Sequence, residues 1–415
     1  MKEIIVYADW QELPAAMKMG MLRAEQVRGE EIFSFEYDEQ WLQSGYAQVL
    51  DPDLRLFTGP QYITDEKPNF GIFLDSSPDR WGRTLMKRRE ALQAREEKRK
   101  ERRLFESDYL LGVNDISRSG ALRFKLNEEG PFLDDDTTFP TPPFSSIREL
   151  EHASLRIEDD DFFEDKEASK WLRLLMAPGS SLGGARPKAS VRSPEGRLWI
   201  AKFPSKNDDR DQGAWEFIVN KLAEEAGIRI TQSTAKKFSQ KYHTFMTKRF
   251  DRSADGKRIH FASAMTLLGY KDGVSHQEGE SYLELVEIIE EYGAQPDKDL
   301  LELWKRIVFS ICVSNTDDHL CNHGFLLTNR GWLLSPAYDI NPNEQGVGLS
   351  LNIDENSNAL DLELAKSVAE YFRVNLKAAD TFMRSTKKAV NAWRNKADRL
   401  GISKAEQEMM KLAFE

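Results

Sequence analysis

Apolar and polar positions change rhythm twice along this chain. The opening region, to about Lys125, alternates with a period of two in Glu3–Ala8 and Ile32–Tyr37. That alternation predicts short half-buried strands, the first followed by a polar turn. A helix is predicted over Asp79–Arg103, and GVNDISRSGALRFKL closes the region with a strand-like end. Residues Asn127 to Ser146, rich in Pro, Asp and Thr, read as a connector, and an acidic helix-and-loop stretch runs from Ser146 to Asp165. From Gly179 to Phe250 a glycine-rich loop, GSSLGGARPK, leads into strands KASVRS and LWIAKFPS around the turn PEGR. The amphipathic segment GAWEFIVNKLAEEAGI follows, then strands at Thr234–Phe238 and Thr244–Phe250. Beyond about Ser281 helical periodicity dominates, in SYLELVEIIEEY, LLELWKRIVFSICVSN, ALDLELAKSVAEYF and the run through Trp393. One β-hairpin interrupts it, GFLLT and WLLSPAYD around NRG. No internal repeat is visible. The pattern predicts an α+β chain in three parts: a β-rich region over 1–130, a strand-and-helix lobe with the glycine loop over 145–255, and a helical lobe over 256–415.

Composition changes this picture little. The chain has 415 residues, 40% hydrophobic and 31% charged, enough for more than one core. No apolar run reaches the roughly 18 residues of a membrane span. The first twenty residues lack the basic flank and apolar stretch of a secretory signal, so a cytoplasmic protein without a membrane partner is expected. The two cysteines, Cys312 and Cys321, have no histidine pair at zinc-ligand spacing and read as reduced thiols. A net charge of −11 argues against general nucleic-acid binding. The basic cluster Arg95–Arg103 is interleaved with glutamates and reads as a solvated helix face.

The chemistry concentrates in SNTDDHLCNHGFLLTNRGWLLSPAYDI. Asp317 and Asn322 have the interval of the catalytic-loop Asp and Asn of protein kinases, and Asp339 stands where the hairpin ends, as the D-F-G aspartate does. Phosphoryl transfer needs a carboxylate to take the proton of the attacking hydroxyl and hard oxygen ligands to hold magnesium. Asp317 suits the first task, Asn322 and Asp339 the second. The same short polar residues could instead cap a helix and shape a turn, although that is hard to sustain at both places. Lys202 sits inside the apolar strand LWIAKF beside Ala201, like the phosphate-holding lysine of V-A-I-K, with Glu216 on the next helix as its potential partner. A solvent-facing strand lysine and a solvated helix glutamate are the alternatives. Gly179, Gly183 and Gly184 supply a loop that an anion could approach closely. It is not a Walker A loop, because Ala185 occupies the lysine position.

GSSLGGARPKAS, IAKFPS, MTKRFDR, NTDDHLCNHGF and LSPAYDI together resemble the HipA kinases, toxins of bacterial type II toxin–antitoxin modules. So do LDSSPDRWGR and DISRSGALRF, and the likeness runs in order along nearly the whole chain. It implies a protein-kinase-like two-lobe fold with an all-helical C-terminal lobe, an ATP- and magnesium-dependent serine/threonine kinase activity, and a cytoplasmic protein. By position it implies that Asp317 and His319 are catalytic, with His319 able to serve only as a buttress. Asn322 and Asp339 would bind magnesium. ATP would be held by Lys202, Gly183, Gly184, Glu216 and a hinge around Lys248 and Phe250. Ser181, or the adjacent Ser180, would be the autophosphorylated serine. A small helix-turn-helix, HipB-like antitoxin would be the partner and would supply the DNA contacts. The target would be a translation protein such as an aminoacyl-tRNA synthetase. The resemblance also leaves room for a catalytically weak corepressor scaffold, and a small-molecule kinase is a further possibility on the same fold.

Overall fold

In the computed structural model the described residues are 1–63, 67–135, 141–159, 161–176, 184–238 and 241–415. They form two compact units between which the chain passes more than once. The first comprises Met1–Asn207 and Asp251–Ala262, the second Asp208–Phe250 and Ser263–Glu415.

The first unit is built on an antiparallel sheet of β1 (Lys2–Ala8), β2 (Met17–Val27), β3 (Glu30–Tyr37), β4 (Gln61–Tyr62) and β5 (Leu122–Lys125), in the order β4-β3-β2-β1-β5. The register sets Ile4 against Leu22, Leu22 against Phe35, and Val6 against Phe124, so one face gathers the buried side chains. Phe73 packs beneath it against Phe35 and Phe124 at ring distances of 5.5 and 6.1 Å. Around this sheet lie α1 (Glu39–Gln43), α2 (Gly71–Asp75), α3 (Arg80–Glu96), α4 (Glu106–Leu111), α5 (Ile147–Ile157) and α6 (Ala168–Met176). The hairpin of β6 (Lys188–Arg192) and β7 (Leu198–Lys202) completes the unit, with Lys188 directly opposite Lys202.

Helix α3 ends at Glu96, seven residues short of the predicted Arg103. Its own Glu90 is the cause: the carboxylate accepts from Arg99 at 2.5 Å and from the Arg102 amide at 2.8 Å, folding the basic run back on the helix. Two motifs of the resemblance prove to be internal fasteners. Asp79 caps α3 by accepting from Gly82 N at 2.7 Å, and its second oxygen meets Lys188 Nζ at 3.2 Å in a buried ion pair. Arg118 is wholly buried and donates to the carbonyls of Ser76, Leu110, Val113 and Leu133. Burial pushes its pKa down to about 9.

The second unit opens with α7 (Gln212–Ala226), capped by Asp211 and closed by Gly227 in the left-handed region at φ 81°. Its hairpin is β8 (Ser233–Lys237) and β9 (His243–Lys248), and the short strand β10 (Phe261–Ser263) spans the chain's return crossing into the unit. Then come α8 (Ala264–Leu267), α9 (Tyr282–Tyr292), α10 (Pro296–Cys312), the hairpin β11 (Gly324–Thr328) and β12 (Gly331–Leu334), α11 (Leu362–Ser367), α12 (Leu376–Val390), α13 (Trp393–Arg399) and α14 (Lys404–Met410). Their core joins Trp215, Leu222, Phe309 and Trp393, and Phe414 closes it by stacking on Trp393 at 4.8 Å. The architecture is α+β, strand-rich first and helical last. None of the described helices is long and apolar enough to cross a membrane.

Candidate active site

Helix α10 sets the site. It buries Leu300, Leu303, Trp304, Ile307 and Phe309, and Ser314 at φ 47° turns the chain out of the helix immediately after it. The loop that follows carries Asp317, Asp318, His319 and Asn322 back to β11. Asp317 stands out from it, with its side chain 80% exposed, and His319 Nε2 lies 3.9 Å from its carboxylate. Asn322 is buried and donates from Nδ2 to the carbonyl of Asp317 at 2.7 Å, which commits its nitrogen and turns its amide oxygen the other way.

Asp318 faces the opposite direction from Asp317. Its buried carboxylate accepts from Tyr282 Oη at 2.6 Å and lies 3.1 Å from His323 Nε2 and 3.4 Å from Ser310 Oγ. Burial alone would raise its pKa, but His323 and the Tyr282 hydroxyl outweigh that and hold it below the usual carboxylate range. The composition of the loop gave no hint of this anchor, because Tyr282 is 36 residues away. A cavity of about 10 Å3, room for about one water, lies beneath the loop among Ser310, Asn315, Asp318, Asn322 and Tyr338.

The segment after β12 is fixed just as firmly. Ser335 accepts from Arg306 Nη2 at 2.5 Å, and Ala337 N donates to Arg229 O at 2.8 Å. Asn341 N donates to Asn315 Oδ1 at 3.0 Å, and Tyr338 Oη donates to Cys321 O at 2.7 Å. These bonds tie the segment to the loop. Between them Asp339 is held at φ 56°, a conformation that side-chain-bearing residues adopt only when their surroundings enforce it. Its Oδ1 accepts from Asn341 Nδ2 at 2.9 Å.

The second unit therefore contains Asp317, His319, Asn322 and Asp339 on two tethered segments. Phe250 packs on Tyr338 at a ring distance of 5.4 Å. Lys248 is half-buried at the end of β9, and its N–H is donated to Gln232 O at 2.9 Å. Glu216 is buried on α7. Lys202, buried on β7, and Gly184, at φ 82°, belong to the first unit. Gly183, Ser180 and Ser181 lie outside the described residues. Among the described residues no three His, Cys, Asp or Glu side chains group as a metal site. Asn322 and Asp339 nevertheless suit a magnesium ion by the chemistry of their donors, since an amide and a carboxylate both supply hard oxygens.

A family model described as the HipA-like C-terminal domain matches residues 180–393. No curated protein matches the chain. Among solved structures it is similar to HipA of the Shewanella oneidensis MR-1 toxin–antitoxin system, solved with HipB and its operator DNA. That match has 16% identity, covers 99% of this chain and 94% of the other, and has a TM-score of 0.67. A second match is the proinflammatory kinase CtkA of Helicobacter pylori, with 12% identity, 52% of this chain, 95% of the other and a TM-score of 0.34.

Proposed function

Because the chain belongs to the family of proteins with a HipA-like C-terminal domain, we propose that it is an ATP- and magnesium-dependent serine/threonine protein kinase acting as the toxin of a toxin–antitoxin module. The observation that carries this reading is the pair of tethered segments in the second unit. One carboxylate, Asp317, stands out from its loop with its side chain 80% exposed, while Asn322 is pinned by its Nδ2 bond to the Asp317 carbonyl and Asp339 is held at φ 56° beside Asn341.

In the reaction, a serine or threonine hydroxyl of the target comes within hydrogen-bond reach of Asp317. The new bond forms between that oxygen and the γ-phosphorus as the bond from phosphorus to the bridging oxygen breaks and ADP leaves. The hydroxyl proton passes to the Asp317 carboxylate, a contribution of roughly 10²–10⁴-fold for a positioned base. His319 steadies Asp317 rather than taking the proton. Magnesium, when bound by Asn322 and Asp339, supplies neutralisation of charge on the transferred group. Lys202 holds the inner phosphates, with Glu216 as its charge partner. With the Lys248 N–H committed to Gln232, its carbonyl is the hinge group left for an adenine amino group, beside Phe250.

The glycine loop, with Gly183 and Gly184, covers the phosphates. Phosphorylation of Ser181 or Ser180 there switches the enzyme off, because a dianion is repelled from a site built for phosphate. The partner is a small helix-turn-helix antitoxin like HipB, and the target is a translation protein such as an aminoacyl-tRNA synthetase.

Phosphoproteomics after brief induction tests this proposal. Wild type should arrest growth and add phosphate to serine or threonine of one or a few proteins, while Asp317→Ala does neither. Growth arrest by Asp317→Ala with an unchanged phosphoproteome would replace the kinase by a corepressor scaffold.

A further inference from the structure

Val347 is the most exposed large apolar side chain among the described residues, at 93%. A lone exposed valine is ordinary on a protein surface. This one is set apart by the backbone that carries it and by the neighbour it is given. Asn343 N donates to Ser314 O at 3.1 Å, and its side-chain Nδ2 donates to Thr316 Oγ1 at 2.7 Å. Ser350 Oγ donates to Thr316 O at 2.8 Å. Both ends of the loop 343–350 are therefore fastened to the residue that precedes Asp317.

The tip of the loop is held as closely. Val347 stands between two glycines packed against their surroundings: a Cβ on Gly346 would overlap the Thr316 methyl group, and one on Gly348 would overlap the Asn358 amide. Gly348 also forms an antiparallel bridge with Ala359, while Leu349 N donates to Asn358 O at 2.8 Å and Asn358 Nδ2 donates to Leu349 O at 2.6 Å. Fixed backbone displays the valine, so a contact made by it costs little ordering entropy. The packing of Gly346 on Thr316 leaves the Cα atoms of Val347 and Asp317 no farther apart than about 14 Å. An extended peptide rises roughly 3.3–3.4 Å per residue. A chain that brings a hydroxyl to Asp317 therefore reaches Val347 within about four residues of it. The one charged residue of the loop, Glu344, is paired with Arg210, which leaves an apolar group as what the loop presents.

We propose that Val347 selects the protein substrate, by apolar contact with a Val, Ile or Leu at one fixed position within about four residues of the phosphorylated serine or threonine. The proposal rests on the kinase reading and adds to it the class of segment that the enzyme accepts. An aliphatic side chain buries apolar area against the isopropyl group. A Lys, Asp or Glu at the same position would give up hydration there and gain no partner, so the loop discriminates against it.

The test incubates the full chain with γ-labelled ATP, magnesium and a library of synthetic peptides, each with a central serine or threonine and one varied position. Wild type should label peptides with Val, Ile or Leu at a single position about tenfold better than those with Asp or Lys there. Val347→Lys should move the preference at that position to Asp and Glu, with ATP binding and thermal unfolding unchanged. On the best peptide, Val347→Ala should raise KM about tenfold and leave kcat as it was, the signature of a contact remote from the reacting atoms. A flat profile at every position would overturn the proposal. So would an aliphatic preference retained by Val347→Lys, or a loss in kcat at unchanged KM. Label on the chain itself but on no peptide would also overturn it, while leaving the kinase reading intact. Absence of label on both would instead remove the kinase reading, and this proposal with it.

Discussion

Tyr282→Phe removes one oxygen atom and should loosen the loop that carries Asp317. In the wild-type protein that oxygen donates to the buried Asp318 carboxylate at 2.6 Å, on the side of the loop away from Asp317. A hydrogen bond to a charged group contributes about 1.5–3 kcal/mol, and the phenyl ring that remains preserves the packing against His323. At roughly 2–4 °C per kcal/mol for a unit of this size, the midpoint should fall by about 3–12 °C. The loss should also depend on pH. Burial pushes the Asp318 carboxyl up, but His323 and Tyr282 bring it below its ordinary value, so the folded state binds the proton less readily than the unfolded state. That stabilisation is complete above the usual carboxylate range and disappears as pH falls through the folded-state pKa. The gap between wild type and Tyr282→Phe should therefore be full at neutral pH and shrink in acid. Urea unfolding followed by circular dichroism at several pH values measures it. Phosphate transfer should fall with it, because a loop displaced by an ångström can lose up to about 10²-fold in rate. A gap under about 0.5 kcal/mol at neutral pH, or one that is flat with pH, would refute the anchoring role of Asp318.

Two further substitutions probe the units separately. Gly213→Ala would be favourable by roughly 1 kcal/mol from helix propensity alone, yet its Cβ would lie 2.1 Å from His243 O. A net destabilisation of about 1–3 kcal/mol in denaturant unfolding is expected, and an equally stable variant would show that α7 can shift on β9. In the first unit, burial holds His260, stacked on Trp10, down at a pKa of about 3. Since the unfolded histidine takes its proton near pH 6.5, stability should decline from there to pH 3 by up to about 4–5 kcal/mol. His260→Phe should flatten that decline, and an unaltered acid profile would contradict it.

What could be read from the sequence was whatever is fixed by near neighbours. The hairpin at Gly324–Leu334, the end of α10 and the spacing of Asp317, Asn322 and Asp339 all lie within one short stretch. Strand β2 is not named by the sequence pattern, whose alternation Gly20 interrupts. The glycine is required by the sheet, since a Cβ there would meet Glu36 O at 2.2 Å. The length of α3 was overestimated because Glu90 recruits Arg99 and Arg102, a choice made in three dimensions. Helix α6 was missed altogether. Nothing in the local sequence marks Asp318 as an anchor, because only the fold brings Tyr282 and His323 to it. The division into units, with residues 251–262 returning to the first, leaves no mark in composition.

The central claim is that Asp317 takes the proton while a nucleotide and its metal are held by other residues. Purified wild type, Asp317→Ala and Lys202→Ala should each be incubated with γ-labelled ATP and magnesium, with ATP binding measured on the same samples. The account predicts label on the wild type, no label on Asp317→Ala despite undiminished ATP binding, and weakened binding by Lys202→Ala. Equal labelling of wild type and Asp317→Ala would contradict it.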